Sequence, residues 1–403
     1  MVRTSVIRAG TGPRSARLAP GFASLSSSPW RTIGLSAVAV VAGLLLYERR
    51  RSPPPPRPDA TAVQLDTVAS GLEVPWALAV ASSDRLFVTE RAGRIRLVDH
   101  GVLRPQAWAS VAVADDGECG LMGIALAPDY ARSRQVYVVA TVRAAGGLVN
   151  RVLRFTDDGA TGRDPRTVVD GIPAAPLHAG DAIAFGPDGA LYVATGDARE
   201  PARAADERSL AGKILRYTRD GTVPADNPGG ASPVYALGLR NGQGLAWNPE
   251  GTLFATEHGP SGFSNERMRS GHDEINVIVP GGNYGWPAAV GAAHERGLLD
   301  PLVSWTPAIA PSGLAVYTGA EFPDWRGDLF VGALAGGQLR RLHLERLAAG
   351  WRVAGETTIV TGTGRVRAVA MGPDGFLYFT TSNRDGRGAP RPGDDHVFRL
   401  RKR

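Results

Sequence analysis

The chain has 403 residues, a formal net charge of +6 and one cysteine, Cys119. A single cysteine excludes an intrachain disulfide and a cysteine-based metal cluster. The basic excess lies before residue 60, where nine arginines stand against two acidic residues. The remainder is therefore close to neutral and does not indicate binding to nucleic acid. The 51 glycines and 30 prolines favour turns and short strands over helices.

The N-terminal region divides into three segments. Residues 1–31 are a basic leader, 32–47 are a 16-residue apolar run, and 48–61 are an Arg/Pro-rich linker. The run is slightly shorter than the ~17–25 residues of a spanning helix. A cleaved signal and an organelle transit sequence are alternatives. We favour a signal anchor, which places the following domain outside the cytoplasm, periplasmic or extracellular, and attached to the membrane.

A repeated pattern fills residues 62–401: an apolar residue, a turn of the Pro-Asp-Gly type and a short apolar strand. The copies lie at 79–89, 125–141, 184–196, 246–256, 322–332 and 370–381. Six copies predict an all-β fold, a six-bladed β-propeller with four-stranded antiparallel blades. The alternative is a pair of β-sandwiches, and the close similarity of the copies argues against it. Segments that alternate apolar residues with arginine, such as 213–217 and 338–342, are expected as outer strands of blades.

Polar residues recur a few positions before the inner strands of several repeats. They are Glu118, His178, Arg240, Asn241, Arg365 and Arg367. Because loops at one end of a propeller surround its axis, we expect these side chains to converge there. Guanidinium groups suit a polyanionic ligand, and a histidine among them suits a general base. The alternative is structural, with the histidine held in the core and the arginines tying blades together.

Acidic residues and an irregular loop indicate a candidate calcium site. Asp273 and Glu274 follow a Gly/Ser-rich insertion and either bind calcium or cap a loop. The loop at 281–287 contains three glycines, and backbone carbonyls in such loops suit Ca²⁺.

Several of these segments, taken in order, resemble the soluble PQQ-dependent glucose/sorbosone dehydrogenase family, in particular its aldose sugar dehydrogenase branch. The matching segments are 210–216, 220–228, 238–244, 256–260, 273–276, 283–287 and 364–367. The resemblance covers residues 62–401 and implies a six-bladed propeller. It also implies PQQ- and Ca²⁺-dependent oxidation of an aldose at its C1 hydroxyl to the lactone.

The resemblance implies a role for each candidate residue. His178 would take the proton of the C1 hydroxyl while hydride passes to the C5 carbonyl of PQQ. The residues expected to bind the cofactor are Glu118, Arg240, Asn241, Tyr284, Arg365 and Arg367. The residues expected at the calcium are Gly259 and Pro260, through their carbonyls, and Asp273. A quinone or a cytochrome would then accept the electrons, and the sequence leaves the oligomeric state open.

The chain departs from the family pattern around the base. An arginine usually follows the histidine, but here the sequence is His178-Ala-Gly-Asp-Ala182, and the usual glutamine is Glu118. We expect these changes to affect the choice of sugar and the affinity for PQQ. Two other functions are alternatives: a metal-dependent propeller hydrolase or lactonase with Asp273 or Glu257 as ligands, and a non-enzymatic extracellular binding propeller.

Overall fold

The computed structural model describes residues 57–58, 63–266 and 271–403. The predicted leader, the apolar run and most of the predicted linker lie outside these residues. Strands are numbered in chain order, beginning with β1 (Arg57–Pro58) and β2 (Val63–Ala69). Over the described ranges, no helix has the length and apolar character needed to cross a membrane.

Six antiparallel sheets follow one another along the chain, as the repeats predict. Each begins with an inner strand: β3 (Pro75–Ser82), β8 (Leu121–Leu126), β12 (Gly180–Phe185), β16 (Gly242–Trp247), β20 (Pro311–Val316) and β24 (Val366–Met371). Neighbouring inner strands pack together around the ring, and the last, β24, packs on the first, β3. The chain is therefore a closed six-bladed β-propeller, which confirms the predicted fold class.

The remaining strands complete the blades. They are β4 (Arg85–Glu90), β5 (Arg94–Asp99), β6 (Val102–Leu103) and β7 (Ala109–Ser110) in blade 1; β9 (Gln135–Ala144), β10 (Gly147–Asp157) and β11 (Gly162–Pro173) in blade 2; β13 (Leu191–Thr195), β14 (Lys213–Tyr217) and β15 (Val234–Leu237) in blade 3; β17 (Leu253–Glu257), β18 (Asp273–Ile278) and β19 (Val303–Trp305) in blade 4; β21 (Leu329–Ala333), β22 (Gln338–Leu347) and β23 (Gly350–Thr361) in blade 5; and β25 (Leu377–Thr381) and β26 (Val397–Lys402) in blade 6. Helical segments are short: α1 (Tyr130–Ser133), α2 (Ala202–Ala205) and a 3₁₀ turn at Pro323–Trp325.

Blade 6 is completed by the opposite end of the chain. Strand β2 pairs antiparallel with β26, from Val63 opposite Lys402 to Ala69 opposite Val397. Strand β1 lies in the predicted linker and pairs in parallel with β23 of blade 5. Because β2 covers the edge of β26, the ring closes without leaving that strand unpaired.

The Pro-Asp-Gly turns connect the first two strands of a blade. In blade 3 the glycine, Gly189, has a φ of 74°, a conformation that glycine adopts without the steric penalty of a Cβ atom. Asp188 accepts hydrogen bonds from the Ala190 amide at 3.1 Å and the Tyr192 hydroxyl at 3.0 Å. Blade 6 repeats the hydroxyl contact, with Tyr378 donating to Asp374 at 2.6 Å. The motif thus fixes both the turn and the aromatic ring that follows it.

The arginine-rich strands are the third strands of their blades rather than the outermost. Strand β14, for example, lies between β13 and β15. Its Arg216 is buried because Asp226 and Asp188 pair with the guanidinium, at 2.7 and 2.9 Å. Here, an alternation of apolar residues with arginine therefore indicates a strand that lies between two others. Paired carboxylates stabilise the buried guanidinium in place of the water that was expected around an outermost strand.

The apolar core lies between consecutive blades. One cluster joins Leu72, Leu86 and Val88 of blade 1 to Tyr378 and Val397 of blade 6. Burying a large apolar side chain stabilises a fold by roughly 1.5–3 kcal/mol. The blade interfaces therefore hold the ring together and fix the loops at its axis.

Candidate active site

The predicted polar residues lie at the start of the inner strands. His178, Arg240 and Asn241 directly precede β12 and β16, and Arg367 lies within β24. The channel between the strands contains a cavity of about 620 Å³, to which all six inner strands contribute, with Gln243 and Arg367 among the lining residues. The side chain of Asp181 and residues 267–270 fall outside the described part of the chain.

His178 has an unusual backbone conformation. Its φ is +57°, a left-handed value that costs a non-glycine residue of order 1 kcal/mol or more. Two hydrogen bonds hold it: the amide donates to Glu118 Oε2 at 2.9 Å, and the carbonyl accepts from the Ala198 amide at 3.2 Å. Glu118, predicted at the cofactor, thus holds the backbone of the predicted base.

The imidazole of His178 is bound on both nitrogens. Nδ1 lies 2.8 Å from Asp197 Oδ1, and Nε2 lies 2.8 Å from an NH2 nitrogen of Arg240. Guanidinium is always a donor, so Nε2 accepts and Nδ1 carries the proton that it donates to Asp197. The side chain is 4% exposed. The lone pair of the ring therefore lies on Nε2, facing Arg240.

Asp197 completes a dyad with His178, and the sequence analysis missed it. It lies two residues after the end of β13, and it is fully buried. Its Oδ2 accepts a hydrogen bond from Trp286 Nε1 at 2.8 Å, and its amide donates to the carbonyl of Arg240 at 2.8 Å. The sequence signal that could have revealed Asp197 is its position: it is an acidic residue just after a buried strand, in the same blade as His178.

Arg240 is the most heavily bonded side chain of the site. Besides His178, it donates through Nε to Glu266 Oε1 at 2.7 Å, through NH1 to the carbonyl of His258 at 3.1 Å and through NH2 to Ser261 Oγ at 2.9 Å. It is 2% exposed. A buried charge needs such partners to offset its lost hydration.

Glu266, also missed from the sequence, belongs to the insertion after Pro260. Its Oε2 accepts the amides of Ser261 and Phe263, at 2.8 and 3.1 Å. Burial raises the pKa of the carboxyl, but the charge of Arg240 and the donated hydrogen bonds outweigh that effect and lower the pKa below its usual value. Phe263 lies beside the base, with ring centroids 6.0 Å apart.

Asn241 and Glu118 connect different blades at the axis. Asn241 Oδ1 accepts the Gly180 amide at 3.0 Å, so the amide nitrogen of the side chain is the half that can bind a ligand. Glu118 Oε1 accepts from Arg387 at 3.2 Å. Burial raises the pKa of Glu118, but the effects of His258 and Arg387 prevail and lower it overall. The carboxylate therefore remains ionised at neutral pH.

Arg365 and Arg367 come together on the blade 6 side. Arg365 Nε donates to Asp385 Oδ2 at 2.8 Å, and Arg367 NH2 lies 3.8 Å from the same oxygen. The Arg367 guanidinium also lies over the ring of Trp76, 3.7 Å from its centroid. The two arginines thus share Asp385, a partner that the sequence analysis did not foresee.

A buried acid pair lies behind Arg240. Glu257 and Glu274 are cross-strand partners and line a small enclosed cavity with Gly259 and Pro260. Burial raises the pKa of Glu274 to about 7. Burial also raises the pKa of Glu257 well above its usual value, and the neighbouring Glu274 carboxylate adds to the effect. Two carboxylates in one cavity would be stabilised by a cation.

The resemblance implies that Asp273 lies at the calcium and Tyr284 at the cofactor, and in the structure both side chains bind backbone groups. Asp273 accepts the amides of Gly259, Ile309 and Ala310 at 2.7–2.9 Å. The Tyr284 hydroxyl donates to the Val277 carbonyl at 2.6 Å and accepts an amide at 3.0 Å. Both side chains thus tie loops in place. The carboxylates of Glu257 and Glu274 also accept hydrogen bonds, from Asn276 and from the amides of Arg240 and Gly291, but these two side chains line the acid cavity.

The fold and the site together define a propeller whose axial end carries a histidine–aspartate dyad and a group of arginines. The model of the family described as Glucose / Sorbosone dehydrogenase matches residues 72–389. The chain belongs to this family, whose relatives are named sugar dehydrogenases, and this supports an oxidoreductase.

Similar proteins support the same assignment. The chain is 31% identical to the aldose sugar dehydrogenase YliI of Escherichia coli, over 80% of this chain and 91% of that one. A structure of the PQQ-bound form of an aldose sugar dehydrogenase from Streptomyces coelicolor is 37% identical, with a TM-score of 0.73, and covers 87% of this chain and 99% of that chain. A structure from Thermus thermophilus, described as a candidate oxidoreductase (glucose dehydrogenase), is 48% identical with a TM-score of 0.76, over 84% of this chain and 100% of that chain.

Proposed function

We propose that the protein is a PQQ- and Ca²⁺-dependent dehydrogenase that oxidises the C1 hydroxyl of an aldose to the lactone. The observation that carries the proposal is the His178 imidazole, which Asp197 orients through Nδ1 while Nε2 faces Arg240, just before an inner strand of the propeller. A general base with one fixed tautomer, close to a group of arginines, suits removal of a hydroxyl proton beside an anionic cofactor.

The residues fit a polyanionic cofactor. The carboxylate of Glu266 already binds the fork of Arg240, so this fork accepts a carboxylate in the geometry of the site. Within the described ranges, His258 Nε2 is buried without a hydrogen-bond partner, and a ligand would supply one. Arg240, Asn241, Arg365 and Arg367 are the groups that would hold the cofactor, which supplies an ortho-quinone as hydride acceptor.

The chain's own residues account for the proton. Nε2 of His178 receives the proton of the sugar hydroxyl once that hydroxyl replaces the Arg240 N–H as its partner. Asp197 stabilises the resulting imidazolium through Nδ1 and keeps the ring oriented. Trp286 fixes Asp197 from its other oxygen. Phe263 excludes water from one side of the base.

Calcium fits the acid pair. Carboxylate and carbonyl oxygens are the ligands that Ca²⁺ takes in proteins, and Glu257, Glu274, Gly259 and Pro260 line one cavity. A cation there would relieve the repulsion between the two carboxylates. Bound there, calcium would supply a Lewis acid.

The location and the electron acceptor remain proposals from the sequence. The apolar run at residues 32–47 supports a membrane anchor with the propeller outside the cytoplasm. A membrane quinone or a cytochrome would then be within reach as the acceptor. The hydrolase and binding-module alternatives find less support, because the axial groups are arginines and a histidine dyad.

A reconstitution experiment tests the function. The full chain in detergent is supplied with PQQ and Ca²⁺, and reduction of an artificial dye is followed with a panel of aldoses. We expect turnover that depends on PQQ and disappears with a calcium chelator. Failure of the wild-type protein to bind PQQ in the presence of Ca²⁺ would refute the proposal.

A further inference from the structure

Arg240 has almost no free donor for a ligand. A guanidinium carries five N–H bonds, and four are directed at Glu266, His178, Ser261 and the carbonyl of His258. The edge formed by Nε and NH2 faces the Glu266 carboxylate, with NH2 2.5 Å from Oε1. An anionic ligand that takes this edge must replace Glu266.

The carboxylate of Glu266 is built into the site and does not come from a loose surface residue. It is 6% exposed, and two amides of its own segment hold it. Two contacts join the same segment to Arg199: Phe263 lies beneath the Arg199 guanidinium, 4.1 Å from ring centroid to Cζ, and Asn265 Nδ2 donates to the Arg199 carbonyl at 2.9 Å. The segment therefore presents a permanent negative charge to Arg240.

We propose that Glu266 is a positioning residue that competes with the anionic cofactor for Arg240. In the free protein it holds Arg240 so that an NH2 group covers the lone pair of His178 Nε2. When a cofactor carboxylate draws the guanidinium away from Glu266, the NH2 group also moves away from Nε2 and the base becomes available. This inference rests on the proposed function, since it requires that Arg240 bind the cofactor.

In this arrangement, binding of the cofactor determines whether the lone pair of His178 Nε2 is available. Without cofactor, His178 has no free lone pair, because Arg240 covers Nε2 and Nδ1 faces Asp197. With cofactor, the same nitrogen can accept a proton from a sugar hydroxyl. The competing carboxylate must weaken cofactor binding, because part of the binding free energy is spent in separating Arg240 from Glu266.

The test is the dissociation constant of PQQ, measured on the full chain by quenching of tryptophan fluorescence at a fixed Ca²⁺ concentration. Glu266→Gln keeps the shape of the side chain but removes its charge. We expect this variant to bind PQQ about tenfold more tightly or better. Glu266→Asp restores the charge and should return the affinity towards the wild-type value. A defect of packing alone would weaken binding, so the direction separates the two roles.

The matched control is Glu200→Gln. Glu200 lies on the loop that follows Asp197, is exposed, and its side chain pairs only with Arg203 in the described structure, at 2.6 Å. Its substitution should leave the affinity unchanged. Should Glu266→Gln fail to fold, Ser261→Ala removes a neutral partner of Arg240 and should tighten binding by about twofold to fivefold.

The outcomes distinguish the inference from the function. If the wild type binds PQQ and Glu266→Gln, with an unchanged melting temperature, binds it equally or more weakly, the competition is refuted while the dehydrogenase assignment stands. The same conclusion follows if Ser261→Ala, used in its place, binds more weakly. If no variant binds PQQ, both are refuted.

Discussion

Asp197 and the residue after it hold His178 in two ways. Asp197 Oδ1 lies 2.8 Å from Nδ1 of the ring, and Ala198 donates its amide to the His178 carbonyl at 3.2 Å. The loop after β13 thus fixes both the tautomer of the ring and the left-handed backbone that presents it. The position of the dyad depends on two adjacent inner strands, because His178 precedes β12 and Arg240, which contacts the other ring nitrogen, precedes β16.

We therefore expect Asp197→Asn to lower kcat by roughly 10²- to 10⁴-fold, because an amide can stabilise the wrong tautomer and cannot stabilise an imidazolium. His178→Ala should abolish turnover. Both variants should still bind PQQ, since neither removes an arginine. The measurement is steady-state kinetics beside PQQ binding, and retention of full activity in Asp197→Asn would contradict the proposed base.

Calcium should stabilise the protein through the acid pair. We expect millimolar Ca²⁺ to raise the melting temperature of the wild type, and Glu274→Gln to lose most of that increase, because one carboxylate of the cavity is gone. Glu345→Gln is the control, as Glu345 pairs with Arg352 on the outer hairpin of blade 5. An equal calcium effect in all three proteins would place the ion elsewhere.

Asp157 should make stability sensitive to acid. Its carboxylate is fully buried and accepts from Trp108 at 2.9 Å and Arg85 at 2.8 Å. Burial raises its pKa, but hydrogen bonds from Tyr130 and Trp108 outweigh this and lower the pKa. A lowered folded-state pKa gives stability that is present above the unfolded value of ~3.9 and lost as the pH falls through the folded value.

Urea unfolding checks this sign. At pH 7, Asp157→Asn should be destabilised by about 2–4 kcal/mol, and the difference from wild type should shrink at acidic pH. Asp220 provides the control, because it is exposed and forms a surface ion pair with Arg154, and Asp220→Asn should change little. A gap that is constant from pH 7 to acid would show that charge is not involved.

The contact between the first and last blades should be essential for the ring. Leu72 is 1% exposed and packs in the cluster that joins blades 1 and 6. Leu72→Ala should lower the free energy of unfolding by about 2–5 kcal/mol. Val102→Ala, at a position 62% exposed, should have little effect. A similar small loss in both would indicate that this contact is dispensable.

The sequence predicts most of the fold because the repeats carry turn and strand signals in the same order. It also predicts that His178 and Arg240, from different blades, come together, since equivalent positions of a ring meet at its axis. It does not predict Asp197, Glu266 or Asp385, because these follow strands or lie in insertions, where no repeat position guides the comparison.

The roles of the loop residues were the least predictable. Asp273 precedes a glutamate and resembles a metal ligand in sequence, yet its oxygens are taken by three backbone amides. Its neighbour Glu274 lies in the acid cavity instead. Adjacent residues in a strand point to opposite faces, so a motif of two acids does not reveal which one faces the cavity.

The pairing of β2 with β26 brings the beginning and the end of the propeller chain into one sheet. A short flexible peptide could join them, and new termini could then be opened in an exposed loop between other blades. Such a circular permutant would keep every blade contact while moving the point of attachment of the N-terminal segment. The order of the blades along the chain is therefore a separate property from their order around the axis, and the His178–Asp197 dyad should tolerate a change in the order along the chain.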